Sequence, residues 1–322
     1  MAEEIIKLPL EIVPRGEHDL LYSIVRATRG EGDTGIVRFG LEHSHRGEQV
    51  LLWNWLLSIQ SSPPPPFVGY LDAYTANIPG AWSAARRVLA SYTGPLIRVR
   101  RSSDNAEQNI EALPDGSLDE ASLLAFAGAG DAFGTTVYDQ KELVNFTQPS
   151  ASAQPKIVDA GVVILSGDRP CFLFDGVDDK LQANITLPQP LSIHSLWADQ
   201  ETSNFSVMLG RTGNIFGIGI DPSANLYLYG TGGFARPIVR TQNLVCDQFV
   251  ASGAASKIRR GGVQLGATDS TNGELGDTIF ISHNGGASID NTKWCELAVF
   301  DRILTDAEMD DLYAKSSDYY TL

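Results

Sequence analysis

The sequence predicts a mainly β protein built as a β-sandwich. Three observations carry this. From Gly134 onward about ten short segments of strand-like pattern follow one another at close, even spacing. Tight-turn chemistry separates them, with 31 glycines and 16 prolines in 322 residues. Helical stretches do not alternate with the strands, as a parallel α/β sheet requires. No repeat of roughly 20–50 residues is visible, which argues against a propeller or solenoid.

In order along the chain, residues 1–60 read as an N-terminal anchor or assembly region, with alternating pieces at 5–13 and 35–41 and an apolar run over 49–59. Trp53, Trp55 and Leu56 lie in that run. A segment of about sixty residues buries little surface alone. These residues are therefore expected at an assembly interface, on another chain or on the main domain; an internal core segment is the other reading. Ser61-Ser62-Pro63-Pro64-Pro65-Pro66 marks a boundary. Four successive prolines favour an extended polyproline II spacer, so residues 61–69 are expected as a linker and 70–322 as the sandwich.

Within 70–322 the reading begins with a loop entering a short helix over 81–89. Residues 96–101 alternate Ile97 and Val99 with Arg98 and Arg100, the period of a half-buried strand. Ser117-Leu-Asp-Glu120 reads as a capping box before a helix over 121–127. Strands are expected at 134–138, 161–165, 171–174, 181–185, 191–198 and 205–209. A hairpin joins 215–220 to 225–229 across Asp221-Pro222-Ser223-Ala224. A second joins 255–259 to 263–265 across Gly261-Gly262. Strands at 278–282 and 295–300 follow, and Thr305-Asp-Ala-Glu308 caps a last helix over 307–314.

The net charge of −15 would repel nucleic acid and anionic membranes. Acidic glycans are poor partners for the same reason. Cys171, Cys246 and Cys295 are odd in number, widely spaced and without a CxxC, so they read as buried thiols in a chain assembled in a reducing compartment. The first residues, Met1-Ala-Glu-Glu-Ile, lack a basic stretch followed by an apolar core, so no signal peptide is expected. No run reaches the roughly 18 apolar residues a membrane helix needs, so no membrane insertion is expected. Asn145, Asn184 and Asn204 open Asn-x-Ser/Thr triplets that say little without a glycosylating route.

The residues Ser91-Tyr-Thr-Gly-Pro95, Arg100-Arg101-Ser-Ser-Asp104 and Tyr138-Asp139-Gln140, with Thr147-Gln148-Pro149 and Gln154-Pro155, resemble the opening of the α-L-arabinofuranosidase B catalytic domain. Phe174-Asp175-Gly176-Val177-Asp178-Asp179 and the run from Glu296 to Glu308 resemble laminin-G or pentraxin-like lectin domains more generically. Both resemblances imply a concanavalin A-like jelly roll, jointly over about residues 70–318.

The arabinofuranosidase resemblance also implies where catalytic carboxylates should stand. The nucleophile's strand should fall at 205–209, which reads Phe-Ser-Val-Met-Leu. The acid should fall near Ser282-His283-Asn284-Gly285-Gly286, which carries Asn in place of Asp, with Asp290 nearest. The family's run after Tyr-Asp-Gln departs into Lys141-Glu142-Leu143-Val144.

Other residues carry two readings each. Arg98, Arg100 and Arg101 can form a ligand site with Asp104, or pair with Asp104, Glu107 or Asp139 and fix the sheet. Tyr138, Asp139 and Gln140 can reach a sugar hydroxyl or tie a loop to backbone amides. His283, Asn284 and Trp294 can line a sugar site near the closing strand; a core or rim tryptophan is the other reading for Trp294. Asp175, Asp178 and Asp179 offer hard oxygen ligands for Ca²⁺ or form an Asp-Gly turn; no other cofactor is expected. His43 and His45 lack a third metal ligand nearby, and no nucleophile elbow or phosphate loop is present.

These readings lead to the expectation of a non-catalytic virion structural protein: a bacteriophage fibre, tail or head-decoration component, assembled in the host cytoplasm and displayed on the virion surface. Its expected partners are other virion proteins, its own copies in a homo-oligomer such as a trimer, and a cell-surface or environmental glycan bound weakly per site and strongly by avidity. Two alternatives stand beside it. One is a glycoside hydrolase with relocated carboxylates drawn from Asp290, Glu296 and Asp221; the other is a purely structural cement protein.

Overall fold

The computed structural model describes residues 66–201, 205–211, 217–229, 233–271, 278–282 and 291–322. Two antiparallel layers make up the sandwich. The first consists of β1 (Gly80–Ser83), β16 (Thr292–Phe300), β8 (Leu191–Asp199), β13 (Val245–Ala251) and β14 (Gly253–Arg260), in that order across the layer. The second runs β3 (Glu107–Ile110), β2 (Ile97–Arg101), β4 (Ala132–Val137), β5 (Phe146–Thr147), β7 (Leu181–Asn184), β15 (Thr278–Ile281), β9 (Ser206–Arg211), β10 (Gly217–Ile220), β11 (Asn225–Tyr229) and β12 (Phe234–Pro237). Strand β6 (Lys156–Asp159) pairs with β4 and, through Phe172–Leu173, with β16, so it ties the layers along one edge.

The central strands of the first layer are apolar on both faces because both are covered. One face of β8 sends Ile193 and Trp197 into the main core with Phe249, Leu297 and Val299. There they meet Met208, Leu209, Ile218, Ile279 and Ile281 of the second layer. The other face carries Leu196, which packs with Cys246, Cys295, Cys171, Ala85 and Tyr320. Helix α2 (Asp306–Tyr320) supplies part of that cover. Its capping box is complete: the Thr305 hydroxyl accepts from the Glu308 amide, and the Glu308 carboxylate accepts from the Thr305 amide.

The cover is held by a buried polar cluster. Arg86 donates from Nε and NH2 to Glu296 at 2.9 and 3.0 Å, and its guanidinium lies over the Tyr70, Tyr319 and Tyr320 rings. Tyr70 and Tyr320 also donate their hydroxyls to Glu296. Beside this, Gln248 donates to His194 Nδ1 at 3.2 Å and to the Met309 carbonyl at 2.7 Å, while His194 Nε2 lies 2.9 Å from the Ser316 hydroxyl. That network assigns the His194 proton to Nε2.

Several expected elements differ. Residues 81–89 are not a helix; their first part is β1, paired residue by residue with β16 from Gly80↔Val299 to Ser83↔Glu296. A 3₁₀ turn at Asp72–Asn77 precedes it. The residue capping α1 (Glu120–Ala127) is Asp119, whose carboxylate accepts from the Ser122 amide; Ser117 pairs with Arg86 in an isolated bridge. The last helix continues to Tyr320, because Met309, Leu312, Ser316 and Tyr320 keep a buried stripe running. Strands β3, β5, β6, β12 and β13 were not among the expected ones. The three cysteines are free and buried, as expected. The hairpin at Gly261-Gly262 has both glycines at positive φ, also as expected.

Candidate active site

The inter-layer space is apolar through most of its length and turns polar at one end. Alternation along β8 directs Ile193, Ser195, Trp197 and Asp199 to the inner face. The Ser195 hydroxyl meets Met208 Sδ across the layers at 3.2 Å. Trp197 Nε1 donates to Asp247 Oδ2 at 2.8 Å. Arg260 grips the same carboxylate with Nε at 2.8 Å and NH2 at 2.7 Å. Asp247 is fully buried, and its carboxylate oxygens are met by the Arg260 guanidinium and the Trp197 indole.

Asp199 lies one pleat beyond Trp197 and is 2% exposed. Its Oδ2 faces Arg240 Nε at 2.8 Å and its Oδ1 accepts from the Glu201 amide at 3.0 Å. Burial pushes its carboxyl above the usual range, while Arg240 and the Glu201 amide pull it back. The register places Thr292 of β16 opposite Asp199, and the Thr292 and Ser282 hydroxyls are 2.8 Å apart. The Ser282 amide donates to the Met208 carbonyl of β9 at 3.0 Å. Leu209↔Ile281 pairing sets β9 and β15 side by side.

The segment 205–209, where the resemblance places a nucleophile, thus lies beside Ser282, the one described residue of the stretch where it places an acid. Ser206 at the start of β9 is buried, with its hydroxyl near enough to the Asp199 carboxyl to help hold it down. The Phe205 side chain turns outward, 47% exposed, against the Tyr227 ring at 5.6 Å. The sequence reading did not single out Asp199; its one signal was an aspartate ending a wholly buried strand.

The other predicted residues are placed as follows. Arg98 pairs with Glu107 at 2.7 Å on the outer face of β2 and β3. Arg100 bonds Gln154 and Asn105, and Arg101 bonds Asp104. Asp139 is buried and accepts backbone amides from Ala81, Lys141, Leu143 and Val144. The Gln140 amide accepts from Val88 N and donates to the Arg86 carbonyl. Tyr138 is half-buried, its hydroxyl on Asn109. Trp294 is fully buried and stacks on Phe172. Asp221 caps its turn through Ser223 and Asn225. Glu296 lies on the opposite face of its layer, bound to Arg86. His283, Asn284, Asp290, Trp53, Trp55 and Leu56 lie outside the described residues.

Asp175, Asp178 and Asp179 bring one carboxylate oxygen each within 4.8 Å of one another. Asp175 Oδ1 accepts the amides of Val177, Asp178 and Asp179, and Asp179 Oδ2 accepts the amide of Asp175, so the loop closes on its own backbone. Burial, then the charges of Asp175 and Asp178, push Asp179 up to about 7.

A β-sandwich whose inner face carries two buried, arginine-paired carboxylates does not by itself define an activity. Comparison with known proteins adds the following. The family model for the α-L-arabinofuranosidase B catalytic domain matches residues 70–161. A GH54 α-L-arabinofuranosidase soaked with a cyclic sulfate inhibitor superposes with a TM-score of 0.61 at 14% identity. An arabinofuranosidase complexed with arabinofuranosyl-α-1,2-xylobiose gives 0.56 at the same identity. Each covers 77% of this chain, and the chain spans 64% of the length of each of those proteins. No curated protein matches by sequence.

These findings correct the expectation of a non-catalytic virion structural protein. The family model and the structural neighbours are those of a glycoside hydrolase catalytic domain, which fits the hydrolase alternative better. The concanavalin A-like sandwich stands.

Proposed function

We propose that this chain is a glycoside hydrolase domain of the arabinofuranosidase kind, acting on furanosyl residues of a neutral glycan at the polar end of its sandwich. The observation that carries the reading is the meeting of β9 and β15 beside Asp199. β9 carries the segment where the resemblance places a nucleophile, and β15 leads into the one where it places an acid.

The chemistry asks for one carboxyl that gives a proton to the departing glycosidic oxygen and a second negative charge that supports the oxocarbenium-like transition state. Asp199 suits the first role, since burial raises its affinity for a proton. Asp247 suits the second. Arg260 and the Trp197 indole hold its carboxylate in place, so it contributes a fixed charge that needs no reorganisation during the reaction. Arg240 orients Asp199 and offsets its charge when the proton leaves.

The test is release of 4-nitrophenol from 4-nitrophenyl α-L-arabinofuranoside, alongside cleavage of arabinofuranosyl-xylobiose. The reading expects turnover that disappears in Asp199→Asn. A folded protein that leaves both substrates intact overturns it.

A further inference from the structure

A surface cleft of about 350 Å³ opens between the turn at 92–95 and the loop at 138–145. It shares no residue with the Asp199 cluster, and its volume is at the lower end of small-ligand pockets. Tyr92, Pro95 and Tyr138 contribute rings to its lining; Glu142, Leu143 and Asn145 complete it.

The cleft is held open by bonds already made. The Asp139 carboxylate gathers four backbone amides of β1 and the loop, and Trp82 Nε1 donates to the Val144 carbonyl at 2.9 Å. Tyr92 donates its hydroxyl to the Pro95 carbonyl at 2.6 Å. A Cβ on Gly94 would stand 2.7 Å from that hydroxyl, so glycine lets the turn lie directly on the Tyr92 ring. Leu143 is 62% exposed at the rim, an isobutyl group with little protein around it.

The electrostatics of the cleft have one sign. Asp139 and Glu142 line it, Glu111 acts on the Tyr92 phenol, and no Lys or Arg is among the lining residues. The half-buried Tyr138 ring and the exposed Leu143 suit the C–H face of a sugar ring. The exposed Glu142 carboxylate suits its hydroxyls. A carboxylated or sulfated sugar would meet only like charge.

We propose that this cleft is a second saccharide site, which takes a neutral sugar unit of the same glycan and tethers the polymer while the Asp199 end works on it. The choice of glycan rests on the hydrolase reading; the cleft itself does not. Tethering by a weak site raises the effective concentration of substrate at the catalytic one.

Affinity electrophoresis of the whole chain carrying Asp199→Asn, in gels containing neutral arabinan or anionic polygalacturonate, tests this. Arabinan should retard the protein and polygalacturonate should not. Adding Tyr138→Ala should weaken retardation about tenfold, the scale of one lost ring contact. Leu143→Asp, at an exposed position that leaves the core intact, should act in the same direction. Retardation that survives both changes, that vanishes with Asp199→Asn alone, or that is equal in polygalacturonate overturns the proposal. Loss of retardation on Tyr138→Ala, where the parent protein with Asp199 intact never releases 4-nitrophenol, would sink the hydrolase reading and leave the cleft standing.

Discussion

Arg86 and Glu296, separated by 210 positions in sequence, form a two-point ion pair at 2.9 and 3.0 Å that is almost wholly excluded from water. Burial alone would raise the Glu296 carboxyl; the charge and hydrogen bonds of Arg86 outweigh it and hold Glu296 below the usual range. Three tyrosine rings complete the enclosure. The pair joins β16 to the segment just after β1 and, through Tyr319 and Tyr320, to α2.

Breaking one side of this pair leaves a buried charge without its partner. Arg86→Met or Glu296→Gln should each cost about 3–5 kcal/mol, whereas the double replacement should cost clearly less than the sum. Urea unfolding of the three variants checks it.

His194 should give the protein an acid-sensitive limb. Burial, with Arg86 adding to it, pushes its imidazole down to about 4. The unfolded chain therefore takes up the proton first, near the ordinary value of about 6.5. Stability from neutral His194 is complete above that value and falls as pH drops toward 4, by roughly 2–3 kcal/mol. His194→Gln should flatten the difference between urea midpoints at pH 7 and pH 4.5.

Asp179 acts with the opposite sign. Its folded-state value of about 7 exceeds that of a free aspartate. The folded protein holds this proton more tightly, so ionisation becomes a growing penalty from about pH 4 and is complete above pH 7. Asp179→Asn should raise stability by roughly 1–2 kcal/mol at pH 8 and change little at pH 3.5. Thermal unfolding at the two pH values checks it.

At the candidate active site, Asp199→Asn should lower kcat/KM on 4-nitrophenyl α-L-arabinofuranoside about a thousandfold, within the range of general-acid contributions. The substitution also removes the charge that pairs with the nearly buried Arg240, so the urea midpoint should fall in the direction expected for Glu296→Gln, and the rates are compared without denaturant, with circular dichroism checking that both proteins are folded. A small rate loss would remove Asp199 from the proton-donor role.

The sandwich was legible because its strands carry local signals. Residues 191–198 and 295–300 are apolar runs of strand length, and Gly261-Gly262 announces its own hairpin. Residues 81–89 misled because Ala81, Ala84 and Ala85 look helical, whereas pairing with β16 and burial on both faces decide their conformation. Ser117 resembled a cap by spacing alone; Asp119, two residues on, makes the bond. The active-site candidate was hidden for a different reason. Asp199, Asp247, Arg240 and Arg260 come from three strand regions and a connecting segment, and only the inner-face alternation of β8 and β13 brings them together. Tyr138 and Asp139 were visible as a motif, but which one faces ligand space depends on four backbone amides that the motif does not reveal.

Helix α2 has one more consequence. Cys171, Cys246 and Cys295 share the outer face of the first layer and are sealed in part by Tyr320. Where the helix lifts away, these thiols lose part of their cover, so their rate of alkylation reads how firmly α2 is docked on the sheet.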